Sequence, residues 1–445
     1  TTENRKMPFK GTEATICDPQ GNFLMSTNGI WIANANNDTM LNGSGLNPGT
    51  GASSWAFGLP MISNAMFIPF PGDSGKYLLI HHSQEQFGPG YPAFQLYMTS
   101  IDISLDSGLG AVTVKNEIIL EDTLNWGIGA VKHANGRDWW IIMVEQASTK
   151  IYKLLLTQFG VSVSTQLLSN AHYSWYNASQ IPFNNSGDRF SYTANDSITQ
   201  NSFIVTANFD RCTGNIYNDT AIQLTFGNYL WGTAFSPSGK KLYACSSSRV
   251  FQIDTDSLTI DTVATYDGFI SPPGQTCCAT SFWNMYLAAN GKLYITSGSG
   301  VQHLHEMNYP DSAGVACDVQ QHAISLGYAQ LRAVPNHPNY NLGPVVGSVC
   351  DTLSVGLAEP AHDFRFSISP NPVSDGVVKL TYLLPQNKAG VLEVFDLTGQ
   401  RVYSQQLPPW STLQFVQLPE LSIGLYTCVI RSGNEKTAKK LVVMR

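Results

Sequence analysis

A unit of strand, tight turn and strand returns along most of this chain, each time marked by a glycine. In the copy from Trp231 to Ser247, Phe235 ends an apolar run and Pro237-Ser238-Gly239 supplies a fixed φ followed by a permissive glycine. Leu242-Tyr243-Ala244 then resumes an apolar, β-prone run, so the stretch is a hairpin. The marker stands at Gly21, Gly75, Gly136, Gly187, Gly239 and Gly291, at intervals of 54, 61, 51, 52 and 52 residues. A period of about 40 to 50 residues built from short strands belongs to β-propeller blades, whose sheets bury their faces against neighbouring blades. The sequence therefore predicts an all-β fold in which residues 1–350 form one ring. Six blades are countable, and a seventh follows if a missing N-terminal part or residues 315–350 complete another.

A chain of 445 residues with 43% hydrophobic content can bury a large core. Charged residues make up only 13%, against about 25% in an average globular protein, and Asn, Ser, Thr and Gly take their place on the surface. The net charge of −7 is unevenly divided. Residues 365–445 carry nine Lys/Arg and five Asp/Glu, or +4, which leaves 16 against 27, or −11, for the remainder. Basic residues are scattered, with no stripe of Lys/Arg interleaved with aromatics, which argues against a nucleic-acid partner. No run reaches the ~18 apolar residues of a membrane-spanning helix. The first residues, Thr-Thr-Glu-Asn-Arg-Lys, have no apolar signal-peptide core, so an exported precursor would be trimmed or would begin upstream.

Candidate reactive groups are sparse. The eight cysteines lack the paired Cys-x2-Cys spacing of a zinc site. Two disulfides are expected: Cys317 with Cys350, because they flank the segment that should close the ring, and Cys212 with Cys245, from neighbouring blades. His81-His82 with Glu85, His133, and His303-x-His305-Glu306 are read as structural histidines, since no His-Glu-x-x-His helix accompanies them. No Gly-x-Ser-x-Gly elbow occurs. Glu13, Asp18 and Asp210 are carboxylates placed at strand ends, where turn chemistry is the simpler role. No catalytic, cofactor or metal residue is assigned. The loop at 82–96 is polar and rich in Gly and Pro, and long loops on a rigid ring are where binding surfaces are placed.

Cys17-Asp-Pro-Gln-Gly-Asn-Phe-Leu-Met-Ser-Thr-Asn-Gly29, followed by Met40-Leu-Asn-Gly43, resembles the opening blade of propeller proteins secreted by Bacteroidota. Those relatives have an additional strand ahead of this point. Further matches are Phe209-Asp-Arg-Cys-Thr-Gly214, Leu304-His-Glu-Met-Asn-Tyr-Pro310, and Pro335-Asn-His-Pro-Asn-Tyr-Asn-Leu-Gly-Pro344. The resemblance implies architecture rather than activity. The tripeptide Asp-Ser/Thr-x also recurs, placing candidate O-glycosylation sites at Thr39, Thr123, Ser197, Thr220, Ser257, Thr262, Ser312 and Thr352. It is similar to the acceptor motif of exported Bacteroidota proteins. Asp-Ser and Asp-Thr are also ordinary turn openers.

Residues 351–364 have no repeat marker and are read as a linker. Residues 365–445 divide into seven short alternating segments, expected to form a small Ig-like sandwich. Ser369-Pro-Asn-Pro372, the hairpin Val394-Phe-Asp-Leu-Thr-Gly-Gln-Arg-Val402, and Leu421-x-x-Gly-Leu-Tyr-x-Cys-Val-Ile430 before a terminal Lys439-Lys-Leu-Val-Val-Met-Arg445 resemble the C-terminal sorting domain of type IX secretion cargo. That resemblance implies passage through the periplasm to the cell surface or beyond, with the type IX translocon and its shuttle protein as partners. It places recognition on the final hairpin, at Leu421, Gly424, Tyr426, Lys436, Lys439, Lys440, Val442, Val443 and Arg445. The last strand is expected to be an edge whose charges project outward and guard its unpaired backbone.

The function expected is a non-catalytic binding or adhesion module with a surface glycan or protein as ligand; a glycan-active propeller hydrolase or lyase and a fixed subunit of a surface machine are the alternatives. Because the ring and the sandwich should have separate cores, deleting residues 365–445 should leave a folded propeller that stays in the periplasm. Fractionation of cells making the truncated chain checks this, and normal surface delivery would refute it.

Overall fold

The recurring glycines are where the ring's hairpins reverse. Gly21, Gly136, Gly187, Gly239 and Gly291 have φ between +74° and +83°, a region that glycine enters without a Cβ clash. A computed structural model describes residues 5–83, 93–172, 180–196, 198–226, 228–272, 277–351, 365–385 and 388–444.

Each hairpin opens a blade running from the ring's centre to its rim. Blade one comprises Ala14–Cys17, Phe23–Thr27, Trp31–Ala33 and Thr39–Ser44; blade two comprises Ala65–Pro69, Lys76–His82, Ala93–Asp102 and Ala111–Leu124. Blade three is Gly129–Lys132, Trp139–Val144, Lys150–Thr157 and Gly160–Leu167. Blade four has three regular strands, Arg189–Asp196, Asn201–Phe209 and Ile216–Phe226, and Phe183 bridges to Phe190 where an innermost strand would lie. Blade five is Leu230–Phe235, Lys241–Ser246, Arg249–Asp254 and Ile260–Thr265. Blade six is Phe282–Leu287, Leu293–Ser297, Val301–Met307 and Val319–Gln330. Neighbouring strands pair antiparallel within each blade, as in Trp139–Val144 against Lys150–Thr157. The second strands are buried on both faces, Trp139–Val144 along its whole length, while the rim strand Gly160–Leu167 is mostly exposed.

Apolar side chains fill five of the boundaries between blades. Phe67 and Leu79 meet Ile16 and Met25 between blades one and two, and Trp139 and Ile141 meet Met66 and Leu78 between two and three. Phe190 and Tyr192 pack on Trp140 and Ile142, Ile204 on Phe235, and Tyr243 on Phe282 at the next three boundaries. Burying one such side chain contributes about 1.5–3 kcal/mol.

Blades six and one are joined differently. Residues 315–350 do not build a seventh blade. Val319–Gln330 is the rim strand of blade six, and the chain then crosses the ring. The Asn336 N–H donates to the Glu13 carbonyl, and its side-chain amide reaches the carbonyls of Ser63, Ala65 and Ile128, each at 3.2 Å. Tyr340 donates its hydroxyl to the Phe67 carbonyl at 2.7 Å. Farther on, the buried Arg211 guanidinium donates to the carbonyls of Lys132, His133, Ser186 and Gly343. The crossing segment is thus fastened to blades one, two, three and four.

Both expected disulfides are corrected by this path. Cys212 bonds Cys350, at a sequence separation of 138, and Cys277 bonds its neighbour Cys278. The Cys317–Cys350 pairing fails because the crossing carries Cys350 away from blade six, while Cys317 stays in the apolar boundary of blades five and six. The Cys212–Cys245 pairing fails because Cys245 lies inside a strand, buried in that same boundary, whereas Cys212 sits on a turn of blade four.

The C-terminal residues form two further sheets around one apolar core. Phe366–Ser369, Val377–Tyr382 and Leu413–Gln417 make the first; Arg401–Leu407, Gly390–Phe395, Gly424–Ser432 and Glu435–Val443 make the second, in that order. Of the expected linker, only Asp351 belongs to the described residues.

Replacing Cys212 and Cys350 together by serine should destabilise the chain by about 4–5 kcal/mol, the loop-entropy value for a closure of this length. Denaturant titration of the oxidised variant against the parent measures it. A loss below about 1 kcal/mol would show that the hydrogen bonds hold the crossing alone.

Candidate functional site

Two regions carry functional geometry. The first is the final hairpin. Glu435–Val443 is an edge strand paired with Gly424–Ser432, in the register Tyr426 with Leu441, Cys428 with Lys439 and Arg431 with Lys436. Leu421, Tyr426 and Val443 pack on the sandwich core, and Tyr426 donates its hydroxyl to the Ser422 carbonyl at 2.9 Å. Gly424 pairs with Val443, and Val442 with Leu425. Arg445 lies outside the described residues.

Two expectations for this strand need correction. Successive side chains alternate faces, so Lys436 and Lys440 project outward while Lys439 lies on the same side as the buried Cys428 and Leu441. The strand's outer edge is also partly covered. The Asn371 side chain donates to the Lys440 carbonyl at 2.7 Å and accepts the Val442 N–H at 2.9 Å. The Val373 N–H donates to the Val442 carbonyl, and Met444 donates back to Val373. The Pro-Asn-Pro motif therefore caps the edge from Lys440 onward, which leaves the stretch around Lys436 and Ala438 without such cover among the described residues. An inward lysine and a capped edge both oppose indiscriminate strand pairing.

The second region is a cavity of about 1100 Å³ on the face of the ring that carries the marker turns. Its walls are the first strands of blades one, two, three, five and six, residues 180–185 of blade four, the crossing segment, and the sandwich. The sandwich seats on blade six through residues 408–414. Thr412 donates its N–H to the Ala289 carbonyl at 2.7 Å, and the Gln414 amide donates to Asn290 at 2.8 Å. Pro408 lies where a Cβ on Gly291 would stand, so this marker glycine provides both the turn and the contact. Trp410 has φ +63°, rare for a bulky residue, and packs half-buried against the apolar boundary of blades three and four.

Inside the cavity, His337 donates from Nδ1 to the Pro338 carbonyl at 3.0 Å, which leaves Nε2 to accept the Tyr286 hydroxyl at 2.9 Å. Burial lowers the His337 pKa and raises that of Tyr286, so both are neutral near pH 7. Glu13, just ahead of the first strand of blade one and outside the cavity's lining, keeps some accessible surface but is ringed by protein. Burial pushes its carboxyl up to about 7, against which Arg5 exerts a smaller pull. Of the three candidate carboxylates it alone departs from turn chemistry. Asp18 accepts the N–H groups of Gln20 and Asn22 and the Asn22 amide, and Asp210 accepts the Cys212 N–H and the Thr213 hydroxyl.

The histidines are dispersed. His81 is buried between Asn47 (2.6 Å) and Thr99 (2.8 Å), and His82 against Met143; burial holds each at a pKa of about 3. His133 donates from Nε2 to the Cys212 carbonyl and accepts the Asn135 N–H. His305 is buried and held at about 4, and His303 bonds Ser271. Among the described residues, no group of three or more His, Cys, Asp or Glu is placed to hold a metal ion. Glu85 and most of the 82–96 loop lie outside the described residues.

Of the candidate glycosylation sites, Thr39, Thr123, Thr220 and Thr262 fall on rim strands of blades one, two, four and five. Ser257 lies in a turn, where its N–H and hydroxyl both donate to Asp254, and Ser312 lies in the loop before the last strand of blade six. Ser197 and Thr352 are outside the described residues.

Residues 367–444 match the family described as the secretion system C-terminal sorting domain. The end of the chain is thus a sorting domain, and the protein is secretion cargo bound for the cell surface or the extracellular space. No helix among the described residues is long and apolar enough to cross a membrane. No curated protein matches the chain. Solved structures similar to it include hydrazine synthase of Kuenenia stuttgartiensis, with TM-score 0.40 and 12% identity over 78% of this chain and 90% of that one. A putative 6-phosphogluconolactonase from Bacteroides uniformis has TM-score 0.40 and 11% identity over 91% and 98%. The periplasmic gluconolactonase of Pseudomonas aeruginosa has TM-score 0.38 and 14% identity over 87% and 94%.

Opposite pH limbs follow from the buried groups. With folded pKa values lowered to about 3, His81 and His82 stabilise fully above about pH 6.5, and that stability is lost as pH falls toward 3, at up to about 1.4 kcal/mol per pH unit for each. Glu13, raised to about 7, acts in reverse: its contribution is full below about pH 4.5 and is lost as pH rises through 7. Glu13→Gln should therefore gain about 3 kcal/mol on the parent between pH 4 and pH 8. Urea titrations at the two pH values measure the difference, and parallel pH profiles would show that Glu13 is not desolvated.

Proposed function

We propose that the protein is type IX secretion cargo whose propeller serves, once exported, as a surface binding module for a glycan or protein ligand. The observation that carries the export half is the seven-stranded domain at residues 366–443, whose sequence matches a sorting domain. On that domain, Lys436 and Lys440 on the outward face and the uncovered edge beside Ala438 are the surface offered to the translocon and its shuttle protein. The binding half is supported by a rigid ring closed by hydrogen bonds and a disulfide around a cavity lined by aromatic and amide side chains. Pockets of that composition suit ligand capture. The rim threonines lie where attached sugars would leave the cavity clear.

One observation favours an enzyme as the second reading. Glu13 at a pKa of about 7, within electrostatic reach of the Tyr286–His337 pair, has the value wanted of a general acid or base. The purified full chain, presented to arrays of surface glycans and surface proteins, should retain a ligand without consuming it. Turnover of a retained glycan that Glu13→Gln abolishes would replace the binding reading with a glycan-active enzyme. Retention of nothing by the full chain or by surface-delivered protein would overturn both.

A further inference from the structure

We propose that the cavity at the marker-turn face is a binding site for a neutral, polyhydroxylated ligand such as a short glycan, and that the sorting domain is its cover, through Trp410 and the 408–414 strap. The proposal rests on the reading of the propeller as a binding module and names that module's site, ligand class and access.

Charge narrows the ligand. Among the described residues, the propeller's part of the wall contains no lysine or arginine; the two basic side chains lining the cavity, Arg365 and Lys439, belong to the sorting domain. An anion would find no counter-charge there once the cover leaves. A cation would fare little better, because the Asp18 carboxylate is occupied by its own turn. What the wall offers is neutral. The hydroxyls of Tyr286 and Tyr340 donate to His337 and Phe67, which leaves phenolic oxygens to accept ligand hydroxyls. Tyr77, Tyr286 and Tyr340 add aromatic surface, and a cavity of about 1100 Å³ has room for several sugar rings.

The cover follows from contacts at its two ends. Thr412 and Gln414 hold blade six, and Trp410 reaches the boundary of blades three and four on the other side of the cavity. The charges agree: a domain of +4 faces a remainder of −11. Lys439, turned inward by the strand's register, is one of the side chains that meet the cavity.

Cys17 lines the cavity, is exposed with the sorting domain seated and lies outside any disulfide, so its labelling reports an occupied cavity, while Cys245, Cys317 and Cys428 are buried. Millimolar cellotriose, maltotriose or chitotriose should slow iodoacetamide labelling of Cys17, and that protection should set in at least about tenfold faster in Trp410→Ala than in the full chain. Should that variant fail to fold, seen as labelling of the other three thiols, the double variant Gln414→Ala, Lys439→Glu loosens the same contact from the surface. Equal onset of protection in the parent and a folded loosened variant overturns the cover. In the loosened variant the trisaccharides should slow labelling about tenfold, and adding Tyr286→Phe with Tyr340→Phe should weaken the protection, because the phenolic acceptors are lost. Protection by inorganic phosphate or spermidine in place of the trisaccharides overturns the ligand class. Protection by no probe overturns the cavity as a glycan site, while ligand retention by the full chain would still uphold a binding module acting through another surface.

Discussion

Five boundaries of the ring are filled by apolar side chains, and the sixth is held by the backbone of a crossing segment, with the amide of Asn336 at its centre. That side chain reaches carbonyls ahead of blades two and three while its own N–H takes one ahead of blade one. Most of what is particular to this protein depends on that crossing. It delivers Tyr340 to the boundaries on both sides of blade two, Gly343 to Arg211, and Cys350 to Cys212. The cavity lies at the centre of the ring, where the inner strands of the blades meet the crossing segment. A buried polar network of this kind specifies one arrangement, since each group left without a partner would cost about 1–3 kcal/mol.

The Phe209–Gly214 motif can be read in the same terms. Arg211, held down to a pKa of about 10 by burial and still charged, spends its donors on carbonyls rather than on a carboxylate. Cys212 receives the disulfide, and Gly214 lies where a Cβ would strike the Trp140 ring. Gly343 of the Pro335–Pro344 motif accepts from Arg211, and Cys350 beyond it takes the disulfide. The two stretches behave as a latch, closed over a sequence separation of more than a hundred residues.

Export and binding meet at the sorting domain. Its 408–414 strap, Thr437 and Lys439 face the cavity, while Lys436 and Lys440 lie on the opposite face of the last strand. One small sandwich can thus present one surface to a secretion apparatus while holding the other against its own cargo.

Local chemistry makes the hairpins legible in the sequence. Glycines at positive φ, fixed-φ prolines and period-two alternation act within a few residues, so the six blades and all seven strands of the sorting domain are each specified by a short stretch of chain. The opposite orientations of Lys439 and Lys440 are also implicit there, because adjacent strand residues must face opposite ways, but the side that meets the core depends on pairing with Cys428. Glu13 gives no signal, since a pKa near 7 comes from the enclosure around it and not from its neighbours in the chain. The disulfide partners and the crossing were decided by tertiary structure alone. A cysteine's position in the chain sets which blade it belongs to, but bonding needs two Cα atoms within about 7 Å, and only the path taken by residues 331–351 brought Cys350 to Cys212 instead of Cys317.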